Sequence, residues 1–152
     1  MGITPTALQV ADYYIRATLD RGEGLTNLKL QKLLYYAQAW SLALYDRAVF
    51  DDPIEAWVHG PVVASVFRRF KQYRWNPITS PAERESVPVT ARPHLDEVLK
   101  VYGSFSATEL ERMTHAEEPW REARGGIPDH QPSRAVISLG TMKTYYSQRL
   151  HA

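Results

Sequence analysis

Residues 25–63 read LTNLKLQKLLYYAQAWSLALYDRAVFDDPIEAWVHGPVV, and the fold turns on how this stretch resolves. Leu30, Leu33, Leu34, Ala37, Trp40, Ser41 and Leu44 recur at helical spacing. Leu28, Tyr35, Ala39 and Leu42 add a second stripe, with Tyr36 beside Leu33 and Trp40. The spacing predicts a helix from about Leu28 to Asp46, capped by Thr26 or Asn27. So little of its surface is polar that other elements must wrap it. Lys29, Gln31, Lys32 and Gln38 are the exceptions, and Lys29 and Lys32, one turn apart, can share a solvent-facing edge. Asp51-Asp52-Pro53 then turns the chain, and Ile54–Val58 alternates as a short half-buried strand does. His59-Gly60-Pro61 stops that strand. Gly60 permits an unusual backbone, and Pro61 suits the first position of a third helix.

Upstream, Thr4-Pro5 reads as a helix start with Thr4 as cap. Leu8, Ala11, Ile15, Ala17 and Leu19 give a loose apolar face, widened by Tyr13 and Tyr14, and Gly22 and Gly24 end it. Downstream, the third helix turns Val62, Val63, Val66, Phe67 and Phe70 inward and Arg68, Arg69, Lys71 and Arg74 to its other side. Prolines 77, 81 and 88 punctuate residues 76–92, where Ser80 and Glu83 can form a capping box. Val87–Thr90 reads as a second, edge-like strand that can pair with Ile54–Val58. Pro93 restarts a helix with Leu95, Val98, Leu99 and Tyr102 buried, and Gly103 ends it. Ser106–Glu109 is a capping box ahead of Leu110 and Met113, and Thr114–Glu117 reads as another, followed by a short helix at Pro119-Trp120. After an exposed turn at Gly125-Gly126 and Pro128, a last amphipathic helix spans roughly Leu139 to Leu150, with Met142, Tyr145 and Tyr146 inward. The expected fold class is mainly α. It is an irregular multi-helix single domain over residues 1–152, built around a buried central helix, with a small β ribbon.

The 152 residues suit one domain able to bury a core without metal or disulfide staples. Eighteen Lys and Arg against 17 Asp and Glu leave a net charge of +1, so no global field draws nucleic acid or an anionic membrane, although a local basic face is open. Cysteine is absent, which removes disulfides, thiolate metal sites and Cys nucleophiles and fits a reducing cytoplasm. The first residues show no basic region followed by an apolar core, no run approaches 18 apolar residues, and Met1-Gly2 sits in no supported myristoylation context.

No phosphate-binding glycine loop, GxSxG elbow or HExxH pair is present. The histidines, at 59, 94, 115, 130 and 151, are far apart in sequence. Folding can still build a site from His59, His115 and Glu117 or Glu118; the plainer reading is that His59 shapes the strand-to-helix turn and His115 caps a helix. Glu55 beside Trp57 is either a general acid in an apolar setting or an outward strand residue paired with an arginine. The aromatic set Tyr35, Tyr36, Trp40, Trp57, Trp75 and Trp120 serves core packing, stacking on single-stranded nucleic acid or protein-binding hot spots. Trp40 and Trp57 are expected in the core and Trp75 at the surface.

The run from Leu28 to Gln38, LKLQKLLYYAQ, resembles the signature helix of the Panacea antitoxin family, the SocA-like domain also met as the phage-associated GepA-like protein. Glu55-Ala56-Trp57 with Gly60-Pro61-Val62 resembles its E-A-W-x-x-G-P-V segment. Thr114-His115, Pro119-Trp120 and Ala123-Arg124 resemble its T-H-x-x-x-P-W-x-x-A-R segment. The likeness runs from about Ala7 to Tyr146, and the linker from Trp75 to Arg92 lies outside the motifs. It implies a cytoplasmic bacterial or phage protein, encoded beside a toxin, that acts as antitoxin. Most such members bind and neutralise the toxin directly, and one type hands it to a Clp-type AAA+ protease. No enzymatic activity, cofactor or membrane partner is implied. On this reading Lys29, Gln31, Lys32, Arg69 and Trp75 are the candidate toxin contacts. Leu30, Leu33, Tyr35, Tyr36, Trp57, His59, Gly60, Pro61, Thr114, His115, Pro119 and Trp120 are family-motif residues with a structural role. The alternative is a nucleic-acid-binding phage or regulatory protein using the basic helix 61–74, against which the near-zero net charge counts.

Overall fold

The molecule is organised around one long helix, seen here in a computed structural model that describes residues 4–81 and 86–150. Glu83 of the expected Ser80–Glu83 capping box, the Met1-Gly2 pair and His151 lie outside those residues. Seven α-helices occur among the described residues: α1 (Ala7–Asp20), α2 (Asn27–Tyr45), α3 (Ala64–Arg69), α4 (Arg92–Tyr102), α5 (Ala107–His115), α6 (Glu118–Arg124) and α7 (Leu139–Arg149). A two-stranded ribbon, β1 (Glu55–Trp57) and β2 (Gly60–Val62), completes a mainly α fold. No described helix is long and apolar enough to cross a membrane.

The second helix is the central one, as its two apolar stripes require. Leu30, Leu33, Leu34, Tyr35, Tyr36, Ala37 and Ala39 are fully buried. It packs against α1, α3, α4, α5, α7 and β2, most extensively α7. Thr26 caps it by accepting the Lys29 amide at 3.2 Å. Its C-terminus closes on Asp46 in the left-handed conformation (φ 52°, ψ 40°), which aspartate tolerates better than most residues. The predicted solvent edge of Lys29 and Lys32 does not exist: Lys32 is fully buried, and Lys29 reaches Gly103 O at 2.6 Å. Leu44, expected inward, is exposed, at the edge of a shallow pocket it shares with His94, Val98 and Val101 of α4.

Local chemistry explains the remaining departures. The cap of α1 is Thr6 and not Thr4, because Thr6 has Gln9 three residues on. Thr6 Oγ1 accepts the Gln9 amide at 3.1 Å, and Gln9 Oε1 accepts the Thr6 amide at 2.8 Å. The partner of β1 is its immediate neighbour, Gly60–Val62, and not Val87–Thr90. Val58 and His59 form the two-residue turn, and Gly60 takes φ +115°. Pro61 therefore belongs to β2, and α3 starts at Ala64. Proline fits there because Ala56, opposite it, sends its N–H the other way, to Ala135 O at 2.8 Å. Val89–Ala91 is a 3-10 turn leading into α4. The Ser106–Glu109 box forms as expected, whereas the Thr114–Glu117 box does not. Thr114 Oγ1 donates back to Glu111 O at 2.9 Å. The Glu117 carboxylate is drawn into the core instead.

Candidate functional site

The three motif segments, far apart in sequence, meet against the middle of α2. From α2 come Gln31, Lys32, Tyr35 and Tyr36, from the ribbon Trp57, Gly60 and Pro61, and from α5 and α6 Thr114, His115, Glu117, Trp120 and Arg124. Gly60 marks the closest approach. A Cβ on it would lie 2.9 Å from Lys32 Cε and 3.0 Å from Thr114 Oγ1. Only glycine lets the ribbon sit this close to α2 and α5 at that positive φ.

Lys32 Nζ is buried there and has no hydrogen-bond partner among the described residues. Burial pulls its pKa down to about 7, and the Glu111 carboxylate opposes that only in part. Glu111 spends its carboxylate on His59 Nδ1, 3.0 Å away at the surface. The His115 ring stacks on Trp120 with centroids 4.1 Å apart, and the Arg124 guanidinium lies 4.7 Å from the centre of that indole. Burial lowers the His115 pKa. Trp120 Nε1 donates to Trp57 O at 2.8 Å, and Arg124 Nη1 donates to Ala56 O at 3.0 Å. Arg124 also donates to Pro128 O and Gln131 O. These bonds tie α6 to the back of β1.

Glu117 is the second polar centre. Its carboxylate accepts the hydroxyls of Tyr35 at 3.4 Å, Tyr36 at 3.2 Å and Tyr146. Burial raises its pKa, the three phenols oppose that in part, and burial beside this carboxylate raises their own. Tyr36 stacks on Tyr102 at 3.9 Å, and Tyr102 OH accepts Trp40 Nε1 at 2.8 Å. Gln31 does similar work at the ribbon's far end. It donates to Asn27 Oδ1 and accepts the Val63 amide, both at 2.9 Å, so it holds the entry to α3. Gln38 pins the 46–50 loop through Phe50 O and the Val49 amide.

The positions predicted for toxin contact therefore separate. Gln31 and Lys32 are fully buried, so neither offers its side chain to a partner in this conformation, and Lys29 is half-buried. Arg69 and Trp75 are exposed on the corner formed by α3 and the turn after it, Trp75 at 87%. Leu30, Leu33, Tyr35, Tyr36, Pro61, Thr114, Pro119 and Trp120 are buried, and Trp57 and His115 are half-buried. Trp40 and Trp57, expected in the core, are half-buried at its rim because each indole N–H needs a polar partner: Tyr102 for one, Glu55 for the other. Glu55 also pairs with Arg134 at 3.1 Å, the second of its two sequence readings.

The His and Glu side chains considered from sequence as a possible site go to separate partners. His59 faces Glu111, Glu117 faces the tyrosines, and Glu118 is exposed, so the His59–His115–Glu117 or Glu118 site is not formed. Among the described residues no three His, Cys, Asp or Glu stand close enough to hold a metal. An open groove lined by Pro5, Tyr45, Val49, Ala91 and His94 lies apart from the motif residues. Sequence spacing gave no sign of the roles of Glu111 and Tyr146, because both act across long separations; Arg124 stood in a motif without a visible partner.

A family model described as antitoxin SocA-like, Panacea domain, matches residues 30–121, which takes in Lys32, the whole ribbon, the Thr114-His115 segment and Trp120. The chain belongs to this family. The match is shorter at both ends than the span read from the motifs. No curated protein and no solved structure matches the chain. Membership in the Panacea family places the chain in a toxin–antitoxin role in general, with a toxin as its partner. Within the Panacea match, the motifs account for the junction of α2, the ribbon and α5–α6, while the exposed corner at Trp75 falls between motifs.

Proposed function

We propose that this protein is an antitoxin that neutralises a co-encoded toxin by direct protein–protein contact, as a single domain over residues 1–152, in the cytoplasm and without enzymatic activity. The observation that carries the reading is the family match over residues 30–121. It is supported by the way the motif side chains are used. The polar groups of the motifs bond one another or the backbone across element junctions, which is the work of a scaffold, and exposed side chains are left for recognition. Co-expression with the product of the adjacent gene tests the proposal. Expressed alone, that product should arrest growth, and this protein should restore it with toxin levels unchanged. Rescue accompanied by disappearance of the toxin, and dependent on a Clp-type AAA+ protease, would replace masking with delivery to the protease. A harmless neighbour, or arrest that persists with this protein present, would end the antitoxin reading.

A further inference from the structure

The corner that follows α3 carries an arrangement the motifs do not explain. The third helix ends in Arg68 and Arg69, a 3-10 turn follows at Lys71–Tyr73, and Arg74 leads into Trp75. All four cations are exposed, and Trp75 is the most exposed large hydrophobic side chain among the described residues. The ion pairs found among the described residues involve none of these cations. From Ala56 to Ala82 the sequence contains no Asp or Glu, so the patch sits in a stretch of one sign while the rest of the chain is net acidic.

The indole is held out on a fixed backbone. Arg74 N donates to Lys71 O at 3.1 Å and Asn76 N to Tyr73 O at 2.9 Å. Phe70 and Ile78, both buried, anchor the chain on either side, and Ile78 N donates to Leu25 O at 2.9 Å. Arg74 itself adopts φ 55°, ψ −119°, the angles of the first central position of a type II′ turn. Glycine takes that position without strain. The fold here carries a strained arginine beside an exposed tryptophan, two of the three residue types enriched at interface hot spots.

We propose that Trp75, together with the exposed Arg68, Arg69, Lys71 and Arg74 that precede it in the chain, is the toxin-docking surface, and that the toxin presents an apolar pocket for the indole with carboxylates around it. The inference rests on the antitoxin reading. Charge complementarity selects the occupant: the cations lack internal partners among the described residues, and a carboxylate rim supplies them while steering encounter. The fixed turn lowers the entropy lost when the indole is buried. A protein fits better than a nucleic acid because the patch offers a single exposed indole, whereas single-strand binders stack successive bases on several aromatics.

The test uses the full chain and the purified product of the adjacent toxin gene, with affinity measured at 50 and 300 mM salt. Trp75→Ala should weaken binding at least tenfold, and Arg69→Glu should weaken it several-fold and flatten the salt dependence. Arg74→Gly separates binding from folding. It should keep or raise the melting temperature, because the turn is relieved, yet weaken binding. Wild-type affinity in Trp75→Ala and Arg69→Glu would overturn the surface while leaving the antitoxin reading intact. Failure of the wild-type chain to bind the toxin at either salt would overturn both. Salt-sensitive binding of labelled single-stranded DNA or RNA by the wild type, lost in the same variants, would reassign the patch to nucleic acid.

Discussion

Lys32 is an amine enclosed by α2, Gly60 and Thr114, and its chemistry is dominated by loss of water. An unfolded lysine titrates near 10.5, and in the fold this one titrates near 7. Below pH 7 the amine is charged in both states, and the fold carries the whole burial penalty. From pH 7 to 10.5 the unfolded chain keeps a proton that the folded chain has released. Stability therefore rises with pH across that window, by about 1.4 kcal/mol per unit at its steepest. Lys32→Met should accordingly be more stable than the wild type at pH 6, by about 3 kcal/mol or more, with the difference shrinking toward pH 9. Urea unfolding of both proteins at pH 6, 8 and 9 measures this, and titrating groups that do not couple to Lys32 cancel in the difference. A variant less stable at pH 6 would show that the ammonium is satisfied after all. The sequence suggested a solvent edge for Lys32 because it stands three residues from Lys29. Nothing in that spacing shows that the ribbon lies across the helix at the Lys32 position.

Junctions between elements account for most of the motif residues. The ribbon rests on α2 and α5 through Gly60, so Gly60→Ala combines an unfavourable positive φ with a contact of 2.9 Å to Lys32 Cε. It should destabilise by roughly 2–4 kcal/mol, read by denaturant titration, whereas Gly125→Ala, with open space around its Cβ, should lose less. Glu117 joins α6 to α2 and α7 through three phenols. Glu117→Leu leaves those hydroxyls without their acceptor and should lose about 1–3 kcal/mol or more, while Glu117→Gln keeps an acceptor and should lose less. The pH dependence separates the two effects. Burial raises the Glu117 pKa above the ordinary carboxylate value, so the folded chain holds its proton longer than the unfolded one does. Its contribution therefore falls as pH rises above about 4.5, and Glu117→Gln should gain on the wild type across that range. Thermal melts at pH 4 and pH 7 check the sign. An unchanged difference between the two proteins would place the carboxylate in a more solvated setting.

At the scale of the whole molecule, the parts read well from sequence are those whose information is local. The all-round apolar pattern of α2 predicted a wrapped central helix, and the fully buried ring from Leu30 to Ala39 is its result. The Ser106–Glu109 box and the Pro93 restart are equally local, and both appear. The ribbon shows the boundary of that legibility. Ile54–Val58 announced a strand, but Gly60-Pro61-Val62 looked like a helix start, because a proline in a strand is acceptable only when its opposite residue points its amide elsewhere. Ala56 does so toward Ala135, a segment about 80 positions away. Glu117 is the same case in a different guise. Its position suggested a cap, and the tyrosines that claim it come from two other helices. The surface corner at Trp75 was legible as composition, and its fixed turn became visible only with the backbone angles of Arg74. The proposed neutralisation needs contact between chain and toxin and nothing else. Titrating the purified chain into the purified toxin, with no protease or nucleotide present, measures this. Toxin activity should fall in proportion to added chain and vanish near equivalence; full toxin activity in the presence of excess chain would contradict neutralisation by contact.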